Sequence, residues 1–315
     1  MTTTPSKLER ILEAGHLAVT GECGPPRSTD GHELEEKGNL LRDHVDAINV
    51  TDNPTSVVRL CSLAACIRLK QMGIEPILQM TTRDRNRIAL QSDLLGAASF
   101  GIHNVLCLTG DHQQFGDHPA SMNVFDLDSV QLVQTVKRMR DEGRLLGGHE
   151  LKSRPQMFIG AAANPFNDPI EVTVLRLVKK VAAGAQFIQT QCIYNVEKFK
   201  TWMQMVRDRG LHERVAILAG LTPLKSVGMA RYMQNRVPGM DVPDGLVKRL
   251  AATPKEKQAA EGITICVEHI QELKEVVGIR GFHIMAIEWE EKAPEIIERA
   301  GLSPRPDLGR GPAST

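Results

Sequence analysis

MFIGAAANPFNDPIEVTVLRLVKKVAAGAQFIQTQC, Met157 to Cys192, is the stretch on which the fold turns. It opens with an apolar run, Met157 to Ala163, and closes with another, Gln186 to Cys192. Between them apolar residues recur at helical spacing from Ile170 to Ala183. Asp168 and Pro169 stand where an N-cap and a first-turn proline belong, and Gly184 stands where a left-handed C-cap is wanted. Strand, helix and strand in about 30 residues make one βα unit.

The same unit repeats on both sides. Further apolar or β-branched runs lie at Leu17 to Cys23, Ala47 to Asp52, Pro76 to Thr82, Asn104 to Thr109, Val215 to Leu221 and Gly281 to Ile287. Near-continuous hydrophobicity predicts strands buried on both faces, as in a parallel sheet covered by helices. Helical periodicity fills Ser56 to Met72, Arg85 to Ser99, Ser129 to Glu142 and Val196 to Arg209, with Gly73, Gly143 and Gly210 following helices. Five of the seven intervals between strand ends are 28 to 30 residues. Eight such units, with no GxGxxG after the first strand, predict a closed (β/α)8 TIM barrel rather than an open doubly wound sheet. The two long intervals, Gly110 to Met157 and Leu221 to Gly281, predict enlarged loops or extra helices at the barrel mouth. Residues 1–302 read as one catalytic barrel and 303–315 (SPRPDLGRGPAST) as a flexible tail.

Composition narrows the function. Among 315 residues, 38 Lys and Arg balance 38 Asp and Glu, and only 12 are Phe, Trp or Tyr, which argues against a dedicated nucleic-acid binder. No apolar run approaches a membrane span and the N-terminal stretch lacks a signal-peptide core, so a cytoplasmic protein is expected. Six cysteines without a CxxC pair fit buried reduced thiols better than disulfides, zinc or an iron–sulfur cluster.

In a (β/α)8 barrel the C-terminal strand ends converge on the active site. Here they are polar: Glu22; Thr51, Asp52 and Asn53; Gln79, Thr81 and Thr82; Thr109, Gly110 and Asp111; Asn164; Gln189, Thr190 and Gln191; Thr222; Glu288. Glu22, in AVTGECGPPR, is either a general acid held neutral by apolar neighbours or a carboxylate that caps a turn. Asp111, in LCLTGDHQQ, either faces a developing cation or stabilises its Thr-Gly-Asp turn. Lys180 is either a solvated surface lysine or a phosphate ligand at the rim, and Arg83, Arg85 and Arg87 present the same choice. The Asp111, His112, Asp117, His118 loop lacks the spacing of a metal site, and His283 reads as a hydrogen-bonded barrel-core histidine.

Five segments in order then resemble the 5,10-methylenetetrahydrofolate reductases, flavin-containing (β/α)8 barrels of one-carbon metabolism. They are GECGPPR around Glu22, LTGD ending at Asp111, KKVAAGAQFIQTQ ending at Gln191, GLTPL from Gly220 and GFHIMA from Gly281. The resemblance runs from Ala18 to Leu302. It implies a bound flavin, FAD or FMN, and reversible reduction of 5,10-methylenetetrahydrofolate to 5-methyltetrahydrofolate. It implies Glu22 as the acid that opens the folate's imidazolidine ring, Asp111 as the carboxylate near flavin and pterin, Gln191 as a pterin contact, and Lys180, Thr51 and Thr82 on the flavin. Departures at Val227, where an aromatic is usual, at PILQ (Pro76 to Gln79) and at AIEWEE (Ala286 to Glu291) argue against direct reduction by NAD(P)H. The chain is most similar to the short bacterial reductases of acetogens and related anaerobes, which implies a small zinc- and iron–sulfur-containing partner subunit supplying electrons. Two alternatives stay open: a pterin-binding methyltransferase barrel without redox chemistry, and a flavin-binding docking subunit of a redox complex.

Overall fold

The structure is a computed structural model that describes residues 4–308. Eight parallel strands close into a barrel in sequence order: β1 (Ala18–Cys23), β2 (Ala47–Val50), β3 (Pro76–Thr81), β4 (Asn104–Leu108), β5 (Phe158–Ala163), β6 (Phe187–Cys192), β7 (Ala216–Leu221) and β8 (Ile279–Ile284). Seven of the eight expected runs thus hold a strand, and the eighth strand overlaps its run, starting two residues earlier at Ile279. The helices α2 (His32–Leu41), α3 (Ser62–Gln71), α4 (Arg87–Ser99), α5 (Ser129–Asp141), α6 (Ile170–Ala183) and α7 (Val196–Asp208) alternate with the strands. The long interval after β7 holds α8 (Val227–Arg236), α9 (Asp244–Ala252) and α10 (Gln258–Lys274); α11 (Ala293–Arg299) follows β8.

Local chemistry explains the boundaries. Helix α5 begins at a capping box in which Asp128 accepts from the Gln131 amide and the Gln131 side chain accepts from the Asp128 amide. Helix α6 buries Val174, Leu177 and Val181 against the sheet and ends at Gly184 with φ +119°, as expected. Its N-terminus differs from the sequence reading: Pro169 is the cap residue, and Asp168 instead approaches the Lys198 ammonium at 3.2 Å. Helix α3 starts six residues later than its periodicity predicts, because Thr55 and Ser56 adopt positive φ in the preceding loop. Cys61 is exposed, against the expectation for the cysteines; the other five are buried.

The barrel interior is layered. At the N-terminal end, Ile77, Leu106, Phe158, Phe187 and Leu218 pack with Leu8, Ile11 and Leu12 of α1 (Lys7–Glu13), a helix that plugs the bottom. Gly160 makes room for Phe187, since a Cβ there would sit 2.2 Å from the ring. Two residues beyond Ala18, Ala47, Phe187 and Gly281 on their strands come Thr20, Asn49, Gln189 and His283, which are buried and mutually hydrogen-bonded. Residues 303–308 return to the barrel bottom. There Arg305 pairs with buried Asp46 at 2.6 Å and donates to the Leu17 and Leu302 carbonyls. The remainder of the expected tail lies outside the described residues.

Candidate active site

Above the polar layer the strand ends enclose a cavity of about 500 Å³, within the range of small-molecule and cofactor sites. Glu22 rises into it from β1, two residues above Thr20. Its Oε2 accepts from Gln79 Nε2 at 3.2 Å and lies 3.5 Å from His283 Nε2, and its side chain is 18% exposed. Glu22 is therefore not a turn cap: neither side-chain neighbour belongs to its own loop.

Asp111 enters from the loop after β4. Its carboxylate accepts the Thr55 amide at 2.9 Å, and its carbonyl accepts from Ser56 Oγ at 2.8 Å and from buried Arg83 at 3.1 Å. These bonds tie Asp111 to the loop of Thr55 and Ser56, both in the left-handed region, and to Arg83 rather than to its own Thr-Gly-Asp turn; it also lines the cavity. Asp52, by contrast, is purely structural. Its carboxylate binds the Thr81 amide and hydroxyl and forms a buried ion pair with Arg85 at 2.7 Å. Arg87 is an exposed partner of Asp126, and neither Arg85 nor Arg87 lines the cavity.

Lys180 comes from the last turn of α6, reaches under the end of β5 and donates to the Ala162 carbonyl. Burial, and secondarily the Arg176 guanidinium one turn earlier, push its ammonium below the usual lysine range. Arg176 lines the same cavity, so two cations sit at one end of it. Gln191, at the end of β6, also lines the cavity; its amide oxygen accepts the Cys192 amide at 3.0 Å. Thr51 presents a buried hydroxyl for which the described residues supply no hydrogen-bond partner. Thr82 does not join them: its side chain is fully buried and is not part of the cavity wall. Five of the six expected site residues thus share one chamber. The sequence reading missed Arg176, which its four-residue spacing from Lys180 on one helix face would have found. It also passed over Thr20 and Asn49, whose inward positions follow only once the register is known.

The family model for methylenetetrahydrofolate reductase matches residues 7–301. Among curated proteins, methylenetetrahydrofolate reductase 2 of Schizosaccharomyces pombe is 27% identical over 244 residues, 73% of this chain and 36% of its own length. The probable NADPH enzyme of Caenorhabditis elegans is 21% identical over 94% of this chain and 44% of its own length. The 5,10-methylenetetrahydrofolate reductase of Pectobacterium carotovorum is 22% identical over 94% of this chain and 93% of its own. The chain therefore spans less than half of those two eukaryotic relatives and nearly all of the bacterial one. Among solved structures, an uncharacterized Clostridium thermocellum protein that binds two copies of 5-methyl-5,6,7,8-tetrahydrofolic acid has the same fold, with a TM-score of 0.63 at 15% identity over 94% of this chain and 98% of its own.

Proposed function

The chain belongs to the methylenetetrahydrofolate reductase family, and from that premise we propose that it is a flavoprotein reducing 5,10-methylenetetrahydrofolate reversibly to 5-methyltetrahydrofolate, with Glu22 as proton donor. The observation that carries the proposal is that Glu22 and Asp111, 89 positions apart in the sequence, face one chamber. The reaction needs an acid where the ring opens and a negative charge beside the cation that opening creates.

The chamber's chemistry fits a flavin. The unpartnered Thr51 hydroxyl offers a hydrogen bond to a polar ring edge, and Lys180 and Arg176 offer cations to a phosphate. Bound there, the flavin supplies the hydride. The rest falls to the chain. Glu22 gives its proton to the bridging nitrogen N10 as the bond from the methylene carbon to N10 breaks and its electron pair stays on N10. The methylene carbon is left as an iminium on N5, and Glu22 as a carboxylate. Asp111 stabilises that cation by charge, and the Gln191 amide orients the pterin. The electron donor in this reading is a separate zinc- and iron–sulfur-containing protein rather than a nicotinamide. Val227 brings no aromatic ring, and the Trp289 ring, which is not part of the cavity wall, has the Lys225 ammonium 5.5 Å from its centroid. No helix among the described residues is long and apolar enough to cross a membrane; we place the reaction in the cytoplasm.

The test is Glu22→Gln. Its flavin should accept electrons from an artificial donor yet fail to be reoxidised by methylenetetrahydrofolate. Normal reoxidation would remove Glu22 from its role, and a protein that purifies without flavin would remove the redox reading altogether.

A further inference from the structure

Asp111 is gripped through its backbone by a buried cation. Arg83, on the loop after β3, is 3% exposed. Its Nη1 donates to the Asp111 carbonyl at 3.1 Å and to Ser56 Oγ at 2.9 Å, and its Nη2 donates to the Asn53 carbonyl at 3.3 Å. Ser56 Oγ in turn lies 2.8 Å from the Asp111 carbonyl and 3.1 Å from that of His112. One guanidinium therefore ties the loop after β2 to the loop after β4. The two loops are in close contact as well: a Cβ on Gly116 would sit 1.9 Å from the Ser56 carbonyl oxygen.

The loop so held is strained. Asn53, Thr55 and Ser56 have φ of +45°, +53° and +59°, a region that a β-branched threonine enters only where its surroundings over-determine it. The strained turn delivers the Thr55 amide to Asp111 Oδ2 at 2.9 Å, which fixes one oxygen of a carboxylate that lines the chamber.

A bare cation this near would offset the charge that the reaction asks of Asp111. Asp84 prevents that. It accepts from Arg83 Nε at 2.8 Å and from Nη2 at 2.6 Å in a bidentate pair, so all five N–H groups of the guanidinium are used. The hydrogen bonds to Asp84 raise Arg83 above the usual arginine range. Asp84, which burial alone would raise, is held below the usual carboxylate range by its bonds to Arg83. The next cation, Arg85, is taken up by Asp52 and Asp93 at 2.7 and 2.9 Å.

We propose that Arg83 and Asp84 form a charge-neutral clamp that positions Asp111 through its backbone and leaves its carboxylate as the uncompensated charge on that side of the chamber. Both are positioning residues, and neither is part of the cavity wall. The proposal rests on Asp111 being the carboxylate that stabilises the iminium. A guanidinium supplies the several donors needed to join three backbone and side-chain acceptors, and its paired carboxylate removes the electrostatic cost of placing it there.

The experiment pairs hydrogen exchange of the flavin-free protein with redox titration of the flavin-loaded one. Arg83→Met should accelerate exchange of the Thr55 to Arg59 amides about tenfold or more, the loss of hydrogen bonds from a charged donor, while β2 and β4 exchange as before. Arg83→Lys keeps one donor nitrogen and should fall between, and it carries this arm if the methionine variant does not fold. Asp84→Asn keeps an acceptor for Arg83, and so the loops closed, but bares the cation. It should raise the flavin midpoint potential and slow reoxidation by methylenetetrahydrofolate, both by less than Asp111→Asn, and added salt should shrink the effect. An Asp84 that only braced the fold would leave the potential where it was. Exchange as in the parent protein in the folded Arg83 variants overturns the proposal, as does an unmoved potential in Asp84→Asn where Asp111→Asn moves it. If Asp111→Asn itself moves neither potential nor rate, the role given to Asp111 in the reaction fails and the charge balance with it, and the exchange data alone decide the tie between the loops.

Discussion

Lys180→Met should stabilise the flavin-free protein and weaken flavin binding, two effects of opposite sign from one ammonium. The amine lies under the barrel rim with the Ala162 carbonyl as its hydrogen-bond partner, and burial lowers its pKa from the usual 10.5. A folded state that binds fewer protons than the unfolded chain gains stability as pH rises. The penalty is full below the folded pKa and fades as pH climbs through the interval up to 10.5. Methionine keeps most of the packed stem and removes the charge, so near pH 7 the flavin-free variant should gain about 1–3 kcal/mol, the cost of an incompletely satisfied buried polar group. That is a rise in Tm of roughly 2–6 °C for a domain of this size. The gain should disappear above the lysine range. Phosphate binding reverses the sign: losing one charge-assisted contact of about 1.5–3 kcal/mol should weaken FMN or FAD roughly 10- to 150-fold. Thermal melts of stripped protein and fluorescence titrations measure both effects, with riboflavin, which lacks the phosphate, as the control. Equal weakening of riboflavin, or a less stable flavin-free variant, would refute the reasoning.

Asp111→Asn retains an oxygen to accept the Thr55 amide but removes the charge. It should leave the loop folded, slow the folate half-reaction and raise the flavin potential; stopped-flow reoxidation and a redox titration check it, and unchanged values in both would reject the electrostatic role. Arg305→Met strands the Asp46 carboxylate, whose side chain is 0% exposed. A loss of about 3–5 kcal/mol in urea unfolding is expected, and an unmoved midpoint would show that the residues after 302 contribute nothing to the barrel.

The elements legible in the sequence are those whose signals are local. Helix α6 has its stripe and C-terminal glycine within one window, and its observed bounds coincide with the expected ones. Strand β8 is displaced by two to three residues, to Ile279–Ile284. Pairing with β7 through a register shift at Ile217 and Leu218 draws in Ile279 and Arg280, while Glu288 turns away at φ +49°. Helix α3 starts late because a carboxylate 56 positions away holds Thr55, a contact no window contains. Glu22, Asp111, Gln191 and Thr51 stand at strand ends, which the barrel makes neighbours, whereas Lys180, in the last turn of a helix, was assigned through the family resemblance. Thr82 also stands at a strand end but is fully buried and lies outside the cavity wall.

The polar layer was the least legible feature, and the reason is physical. In a parallel barrel both strand faces are buried, so the two-residue period that separates inside from outside in an antiparallel sheet carries little contrast. Thr20, Asn49, Gln189 and His283 therefore look like isolated interruptions of apolar runs. Closure brings them together, and once together the four buried polar side chains hydrogen-bond to one another. A layer of aliphatic side chains would fill the same volume at less risk to folding. The polar circuit also forms the floor of the chamber, where His283 Nε2 lies 3.5 Å from Glu22 Oε2.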